Sequence, residues 1–427
     1  MSESYSQTIM ITDNGPFVTS LTLAMSGPVK ADQLESRYFH VREALYDYQG
    51  RAFKRPKSFF APGEMILCQA DRIVTDLYPS DRKGKRLEEG QFVTLDLAYG
   101  PIYPASGALT FEWGTVNTHE YFADCRFTVT LKESLNENCP QGLVFDHCTQ
   151  VYKPQLAVWN ESVSSYRPQP LRYMYYVPQM PSRTKRPLVV WLHGAGEGGQ
   201  ETEITISGNK VVALAEEPIQ RKLGGAYILA PQCPTMWMDD GSGRYGLSGR
   251  SIYVQALMAC INEFVQNNSY GIDTDRIYLG GDSNGGFMTM RMIIDYPDTF
   301  AAAFPMCEAL YDNTITDADI EKIKNIPIWF THSKDDPVVK PADTVIPTYQ
   351  RLKDAGAANV HFTFWNGIYD LHGTFKNADG SPYRYVGHFA WVPVLNDDDR
   401  LDLDGKPVMA EGREVTLWDW MGLQNKA

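Results

Sequence analysis

The residues best suited to chemistry lie in one short run, Gly281-Asp282-Ser283-Asn284-Gly285. A serine hydroxyl is a weak nucleophile until a neighbouring base takes its proton and fixed donors stabilise the oxyanion that its attack creates. The run matches G-x-S-x-G, a pattern that is common by chance and becomes specific only in context. Here Arg276–Leu279 reads as a strand before it, and Gly285 to Tyr296 as a helix after it, stopped by Pro297. A sharp strand-to-helix turn lifts the serine clear of the sheet, and glycines two residues either side leave room for the strained backbone. The helix N-terminus then faces the oxyanion, with the Asn284 N–H as one donor. The bland alternative is a glycine-rich loop with an incidental serine. A second loop, His193-Gly194-Ala195-Gly196-Glu197-Gly198-Gly199, directly follows the apolar run Leu188–Leu192. The Ala195 N–H, in preference to that of Gly196, is the expected second donor. Read instead as a phosphate cradle, this loop lacks the lysine and hydroxyl of G-x-x-x-x-G-K-[ST].

A nucleophile of this type needs a histidine base and an acid to orient it, and in strand–turn–helix hydrolases these follow the serine in the order acid, histidine. The strand Ile328–Thr331 runs into His332-Ser333-Lys334-Asp335-Asp336-Pro337-Val338-Val339, which offers two adjacent aspartates. Asp335 and Asp336 both stand as candidates at this point, and the one not used reads as a solvated loop carboxylate. Three histidines lie downstream. His361 sits in the strand His361–Trp365 and reads as structural. His372 opens a polar stretch, Leu371–Tyr385, and His388 sits in Val386-Gly387-His388-Phe389-Ala390-Trp391, where the glycine permits a tight loop. His388 is favoured, with His372 the rival. His193 precedes the serine and reads as a structural loop residue, and His332 as the end of a strand.

Two kinds of element must position these groups. From Thr8 to Leu131 short alternating runs (Thr8–Thr12, Phe17–Met25, Met65–Leu77, Gln91–Ala98, Arg126–Leu131) read as strands without a long amphipathic helix. That pattern predicts an all-β sandwich of immunoglobulin size over residues 1–135. A polar connector punctuated by Pro140 and Gly142 is expected over 136–153, followed by a second domain over 154–427. There Leu188–Leu192, Tyr227–Ala230, Ile277–Leu279 and Ile328–Thr331 are apolar without alternation, as in strands buried on both faces of a parallel sheet. Helical patterns separate them. In Ser251–Asn268, Val254, Leu257, Met258, Ile261, Phe264 and Val265 recur at helical spacing. The fold class is therefore α/β, a mostly parallel doubly wound sheet preceded by a β-sandwich.

Composition narrows the partners. The chain has 427 residues, a formal net charge of −13 and no Lys/Arg-rich block, so it should repel a phosphate backbone and an anionic membrane. No apolar run reaches the length of a membrane span, and Met1 to Met10 is polar, so the chain reads as cytoplasmic. Seven dispersed cysteines with no CxxC pair fit reduced thiols better than a disulfide framework or a zinc site. Asn396–Gly405 partly resembles a calcium loop, but Arg400 stands at the first ligand position, so a solvated acidic loop is expected and no metal. The chemistry proposed for Ser283 requires no cofactor, and the expected partner is a small ester.

The series LVVWLHGAGEGG, LAPQCP, DTDRIYLGGDSNGGFMTM, FAAAFPMC, HSKDDPVV, VGHFAWVP and LWDWM, in that order, resembles bacterial carboxylesterases that carry an immunoglobulin-like N-terminal domain. These are relatives of the polyhydroxybutyrate-depolymerase and feruloyl-esterase-like branch of the α/β hydrolases. The resemblance covers roughly Val151 to Leu423. It implies a serine carboxylesterase with Ser283, Asp336 and His388 as triad and Ala195 and Asn284 as oxyanion donors. The chain departs from that pattern in the polar residues Asp282 and Asn284 beside the serine, which would make the pocket more polar. It also departs in the long stretch before His388. The competing classes are a peptidase of prolyl-oligopeptidase type, for which the N-terminal part is too short to build a β-propeller, and a binding protein on a relic hydrolase fold.

Overall fold

A computed structural model describes residues 2–58, 61–103, 105–112, 119–179, 184–242 and 246–426. Packing divides the chain into two units, Met1–Phe111 with Tyr121–Ala157, and Glu112–Glu120 with Val158–Ala427.

Strands dominate as far as residue 152. They are β1 (Ser2–Thr12), β2 (Gly15–Lys30), β3 (Phe39–Tyr46), the hairpin β4 (Lys54–Ser58) and β5 (Ala61–Leu67), β6 (Gln69–Arg72), β7 (Val74–Ser80), β8 (Glu89–Leu97), the pair β9 (Leu109–Glu112) and β10 (His119–Phe122), β11 (Asp124–Leu131) and β12 (Val144–Tyr152). Eight form one sheet in the order β6-β3-β11-β12-β1-β2-β8-β7. Alternation decides its inner face: Cys125, Phe127, Val129 and Leu131 of β11 are buried while Asp124 and Arg126 are exposed. Arg72, on the strand at one end of the sheet, donates to the carbonyls of Val18 and Ala98 near the other end. The sheet therefore folds over on itself as a sandwich, and Arg72 inside it is charge-paired with buried Glu43.

Three expectations change here. The run Met65–Leu77 is not one strand but the end of β5, then β6, then β7. The strand β3 went unread. Residues 136–153 are not a connector, because β12 pairs in parallel with β1 from Ser2 to Thr8 and antiparallel with β11. Only Phe145 of β12 is buried, so the segment shows no apolar alternation and backbone pairing alone reveals it.

The second unit contains β13 (Asn160–Val163), β14 (Arg172–Tyr176), β15 (Arg186–Leu192), α1 (Ile204–Ser207), α2 (Glu217–Lys222), β16 (Tyr227–Gln232), α3 (Val254–Asn267), β17 (Ile272–Asp282), α4 (Asn284–Asp295), β18 (Ala302–Met306), α5 (Asp317–Ile323), β19 (Ile328–Ser333), α6 (Val345–Asp354), β20 (Val360–Trp365), α7 (Trp391–Leu395) and α8 (Leu417–Gly422). Its sheet runs β13-β14-β16-β15-β17-β18-β19-β20. The strands from β16 to β20 are parallel, and β13 and β14 add an antiparallel edge. Leu188 to Leu192 of β15 are wholly buried, which accounts for their unbroken apolar run. Fully burying each such side chain stabilises the fold by ~1.5–3 kcal/mol.

Register aligns the strand ends. Leu192 of β15 stands opposite Gly281, Asp282 opposite Met306, and Met306 opposite Thr331. The loops that leave β15, β17, β18 and β19 consequently emerge side by side at the carboxyl edge, where open α/β sheets bind ligands. The acidic stretch Asn396–Gly405 is not a solvated loop. Asp399 is fully buried and accepts from Thr331 Oγ1 and from Trp365 Nε1 (2.9 Å), and Asp402 accepts from the His361 ring (2.8 Å). These carboxylates tie the C-terminal region to β19 and β20.

Candidate active site

Ser283 stands between the end of β17 and the start of α4 with φ 54° and ψ −110°. A non-glycine residue held there costs ~1–3 kcal/mol, so the surrounding packing must impose it. The glycines on either side are required by close approach: a Cβ on Gly281 would lie 2.2 Å from the Leu192 carbonyl oxygen, and one on Gly285 1.9 Å from the same atom. The neighbouring strand thus passes directly against the turn. The Ser283 N–H donates to the Met306 carbonyl (2.9 Å), anchoring the turn to β18 as well.

His388 Nε2 lies 2.9 Å from Ser283 Oγ, and His388 Nδ1 lies 2.7 Å from Asp336 Oδ2. A carboxylate oxygen can only accept, so Nδ1 carries the proton and Nε2 is left to accept from the serine hydroxyl. Asp336 and His388 are buried while Ser283 is half-buried, so only the nucleophile end of the chain of bonds meets solvent. Asp336 Oδ1 accepts from the N–H groups of Val338 (2.8 Å) and Val339 (3.0 Å). Burial pushes the Asp336 pKa up, but hydrogen bonds from His332 and His388, with the charge of His388, hold it well below the usual carboxylate range. A carboxylate held so low stays ionised when the imidazole takes a proton.

The oxyanion loop is pinned by its own histidine. His193 is buried, its Nδ1 donates to the Gly194 carbonyl (2.6 Å), and its Nε2 accepts from the Cys233 N–H (2.9 Å). Gly194 C=O and Ala195 N–H belong to one peptide plane, so holding the carbonyl aims the N–H in the opposite direction. Burial lowers the His193 pKa to about 4, which keeps the ring neutral and both bonds intact near pH 7. Further along, the Gly196 carbonyl accepts from the Glu120 N–H (2.7 Å) and the Glu197 carbonyl from Gln232 Nε2 (2.9 Å). Asn284, the first residue of α4, has an N–H without a partner inside the helix, available to an oxyanion.

The polar residues flanking the serine do not make the pocket polar. Asp282 is buried and accepts from Asn209 Nδ2 (3.0 Å), and Asn284 is buried with its Oδ1 accepting from the Trp237 N–H (2.6 Å). Burial, reinforced by the like charge of Glu197, raises the Asp282 pKa well above the usual range.

The rival residues lie elsewhere. The His372 side chain is half exposed and pairs with Asp398 (3.1 Å). Asp335 is not a solvated carboxylate, since it accepts from Ser333 Oγ (2.5 Å) and Arg384 (2.6 Å). A Cβ on Gly387 would lie 2.3 Å from Asp335 Oδ1, so Asp335 packs against the loop that carries His388. His332, read only as a strand end, also donates to the Asp336 carboxylate: its Nε2 lies 3.0 Å from Asp336 Oδ2. Its spacing of four from Asp336 was the available signal. The stretch Leu371–Tyr385 folds around buried Asp370, which accepts from the N–H groups of His372, Gly373 and Phe375. Among the described residues no cluster of three or more His, Cys, Asp or Glu is arranged to hold a metal, no helix is long and apolar enough to cross a membrane, and the seven cysteines are unbridged.

Residues 4–139 match the esterase Ig-like N-terminal domain family and residues 176–369 the phospholipase/carboxylesterase family. The chain is 31% identical to a poly(3-hydroxybutyrate) depolymerase of Ralstonia pickettii over 137 residues, which is 30% of this chain and 27% of that protein. It is 30% identical to feruloyl esterase B of Neurospora crassa over 140 residues, 32% of this chain and 43% of that one. The chain thus spans less than half the length of either relative. A crystal structure of a thermostable esterase superimposes with a TM-score of 0.71 at 21% identity, covering 99% of each chain, which establishes a shared fold. The chain joins an esterase Ig-like N-terminal domain to a phospholipase/carboxylesterase domain of α/β-hydrolase fold.

Proposed function

We propose that the protein is a serine carboxylesterase that hydrolyses small or aromatic carboxylic esters through an acyl-enzyme, with Ser283, His388 and Asp336 as triad. The observation that carries this reading is the continuous bonded chain from Ser283 Oγ through the His388 ring to Asp336. Ser283 Oγ attacks the ester carbonyl carbon as His388 Nε2 takes its proton, and the Ala195 and Asn284 N–H groups receive the oxyanion. Each such donor contributes ~2.7–4 kcal/mol to the transition state. Collapse expels the alcohol, which leaves with the proton from His388. Water then repeats the sequence on the acyl-serine, releasing the acid and restoring the hydroxyl. Aromatic rings gather at the base: Trp391 is edge-on to His388 at 5.9 Å and stacks on Phe389 at 4.6 Å.

A panel of p-nitrophenyl and hydroxycinnamate esters, with a labelled fluorophosphonate, tests the reading. Wild-type protein should turn over the esters and take the label. Ser283→Ala should lose both, with rates down by ~10⁴–10⁶. A folded Ser283→Ala protein that keeps full activity defeats the proposal.

A further inference from the structure

His332 is used by no step of the reaction described above, yet its side chain is completely buried against the triad. Its Nε2 faces two acceptors, Asp336 Oδ2 at 3.0 Å and the Val339 carbonyl at 3.1 Å, so Nε2 must carry a proton. Its Nδ1 is buried without a partner, consistent with a ring whose task is on the other side. Asp336 Oδ2 is the same oxygen that accepts from His388 Nδ1. The two imidazoles share one carboxylate oxygen, while Val338 and Val339 occupy the other.

We propose that His332 is a positioning residue for the triad: it fixes the Asp336 carboxylate in the orientation that His388 requires. The inference rests on the triad reading above. With both oxygens occupied from the loop's own backbone and side chain, the carboxylate cannot rotate away from His388. The other titratable or charged groups around the pair are Ser283, Cys307 at the end of β18, and Asp335 with its partner Arg384. Burial pushes the Cys307 thiol up, so it adds no charge near neutrality. Asp335 is charge-paired, leaving His332 as the neighbour that bonds Asp336 directly.

The test compares His332→Leu, which removes the donor, with His332→Gln, whose amide nitrogen can replace Nε2, and runs Ser283→Ala alongside. In His332→Leu, kcat on a small p-nitrophenyl ester should fall about ten- to a hundredfold, the effect of losing a hydrogen bond to a charged group. KM should hold within about twofold. His332→Gln should recover most of the rate. Nitrogen-15 histidine NMR of the wild-type protein, which needs no variant to fold, should find His332 protonated at Nε2. A wild-type rate in His332→Leu, equal losses in both variants, or a proton on Nδ1 alone would each overturn the role. An active Ser283→Ala protein would instead defeat the triad reading itself, whatever His332 does.

Discussion

Replacing Asp336 by Asn removes one charge and keeps the shape, and the structure dictates which way the new amide turns. Oδ1 accepts from two backbone N–H groups at 2.8 and 3.0 Å, so the amide oxygen must stay there. The NH2 group then occupies the Oδ2 position, facing His388 Nδ1 at 2.7 Å and His332 Nε2 at 3.0 Å. Donor would meet donor at both contacts. His388 escapes by moving its proton to Nε2, so that Nδ1 accepts from the amide, and Nε2–H then points at Ser283 Oγ instead of receiving its proton. The wrong tautomer in a serine triad costs about 10⁴ in kcat with geometry intact. The assay is steady-state hydrolysis of a p-nitrophenyl ester over about pH 6–9, with circular dichroism as a control for folding. We expect kcat down by ~10³–10⁴ and KM within about threefold. Asp335→Asn, which weakens the pairing with Arg384 and the packing behind Gly387 but leaves the bonds among Ser283, His388 and Asp336 in place, should lose at most about tenfold. A folded Asp336→Asn enzyme within about tenfold of wild type, or an Asp335→Asn enzyme that is the more damaged, would refute the assignment of the acid.

The remaining predictions concern the base, its loop and the buried acids. His372→Ala should leave kcat/KM within about threefold, because the ring is half exposed and paired with Asp398, and a loss above about a hundredfold would contradict its placement. Gly387→Ala should lower kcat by at least about tenfold, since the new Cβ would collide with Asp335 Oδ1 and its carbonyl and push His388 off line. Wild-type kinetics in that variant would show that the loop gives way freely. Glu308 is buried just beyond β18, and burial raises its pKa to about 8. The folded state therefore holds a proton that the unfolded chain releases near pH 4.5, so stability should fall as pH rises between about 4.5 and 8 and then level off. Thermal melts of Glu308→Gln should gain on wild type with rising pH, by at least ~2 °C at pH 9 relative to pH 5, and parallel melting curves would count against a buried neutral carboxyl.

Burial sets how much of this was legible. The central strands β15 and β19 of the second unit are buried on both faces, so Leu188–Leu192 and Ile328–Thr331 announce themselves as apolar runs and the loops after them could be searched for chemistry. Ser283 was legible for a local reason, because the turn needs glycines at fixed offsets where the Leu192 carbonyl passes. In contrast, β12 buries only Phe145 and shows no regular alternation, and its place beside β1 exists only as hydrogen bonds to partners more than a hundred residues away. The same holds for Asp399, whose charged neighbours suggest a solvated loop until Thr331 and Trp365 are seen to close over it.

What the sequence determined by itself is the order of elements and the identity of the groups that follow each buried strand, since hydrophobic period and turn glycines are written locally. What only the tertiary structure decided is which of several equivalent side chains meet. Asp335 and Asp336 are neighbours in the chain, and His372 and His388 both lie between β20 and α7. Their roles separate only when Arg384 takes Asp335, Asp398 takes His372, and His388 closes on Ser283. The bond from His332 to Asp336 is of the same kind: four residues of spacing permit it, but only the turn after β19 folds the ring back onto the carboxylate. Hydrogen bonds of this sort depend on distances of a few tenths of an ångström, which are set by the packing of whole elements and carried by no single residue.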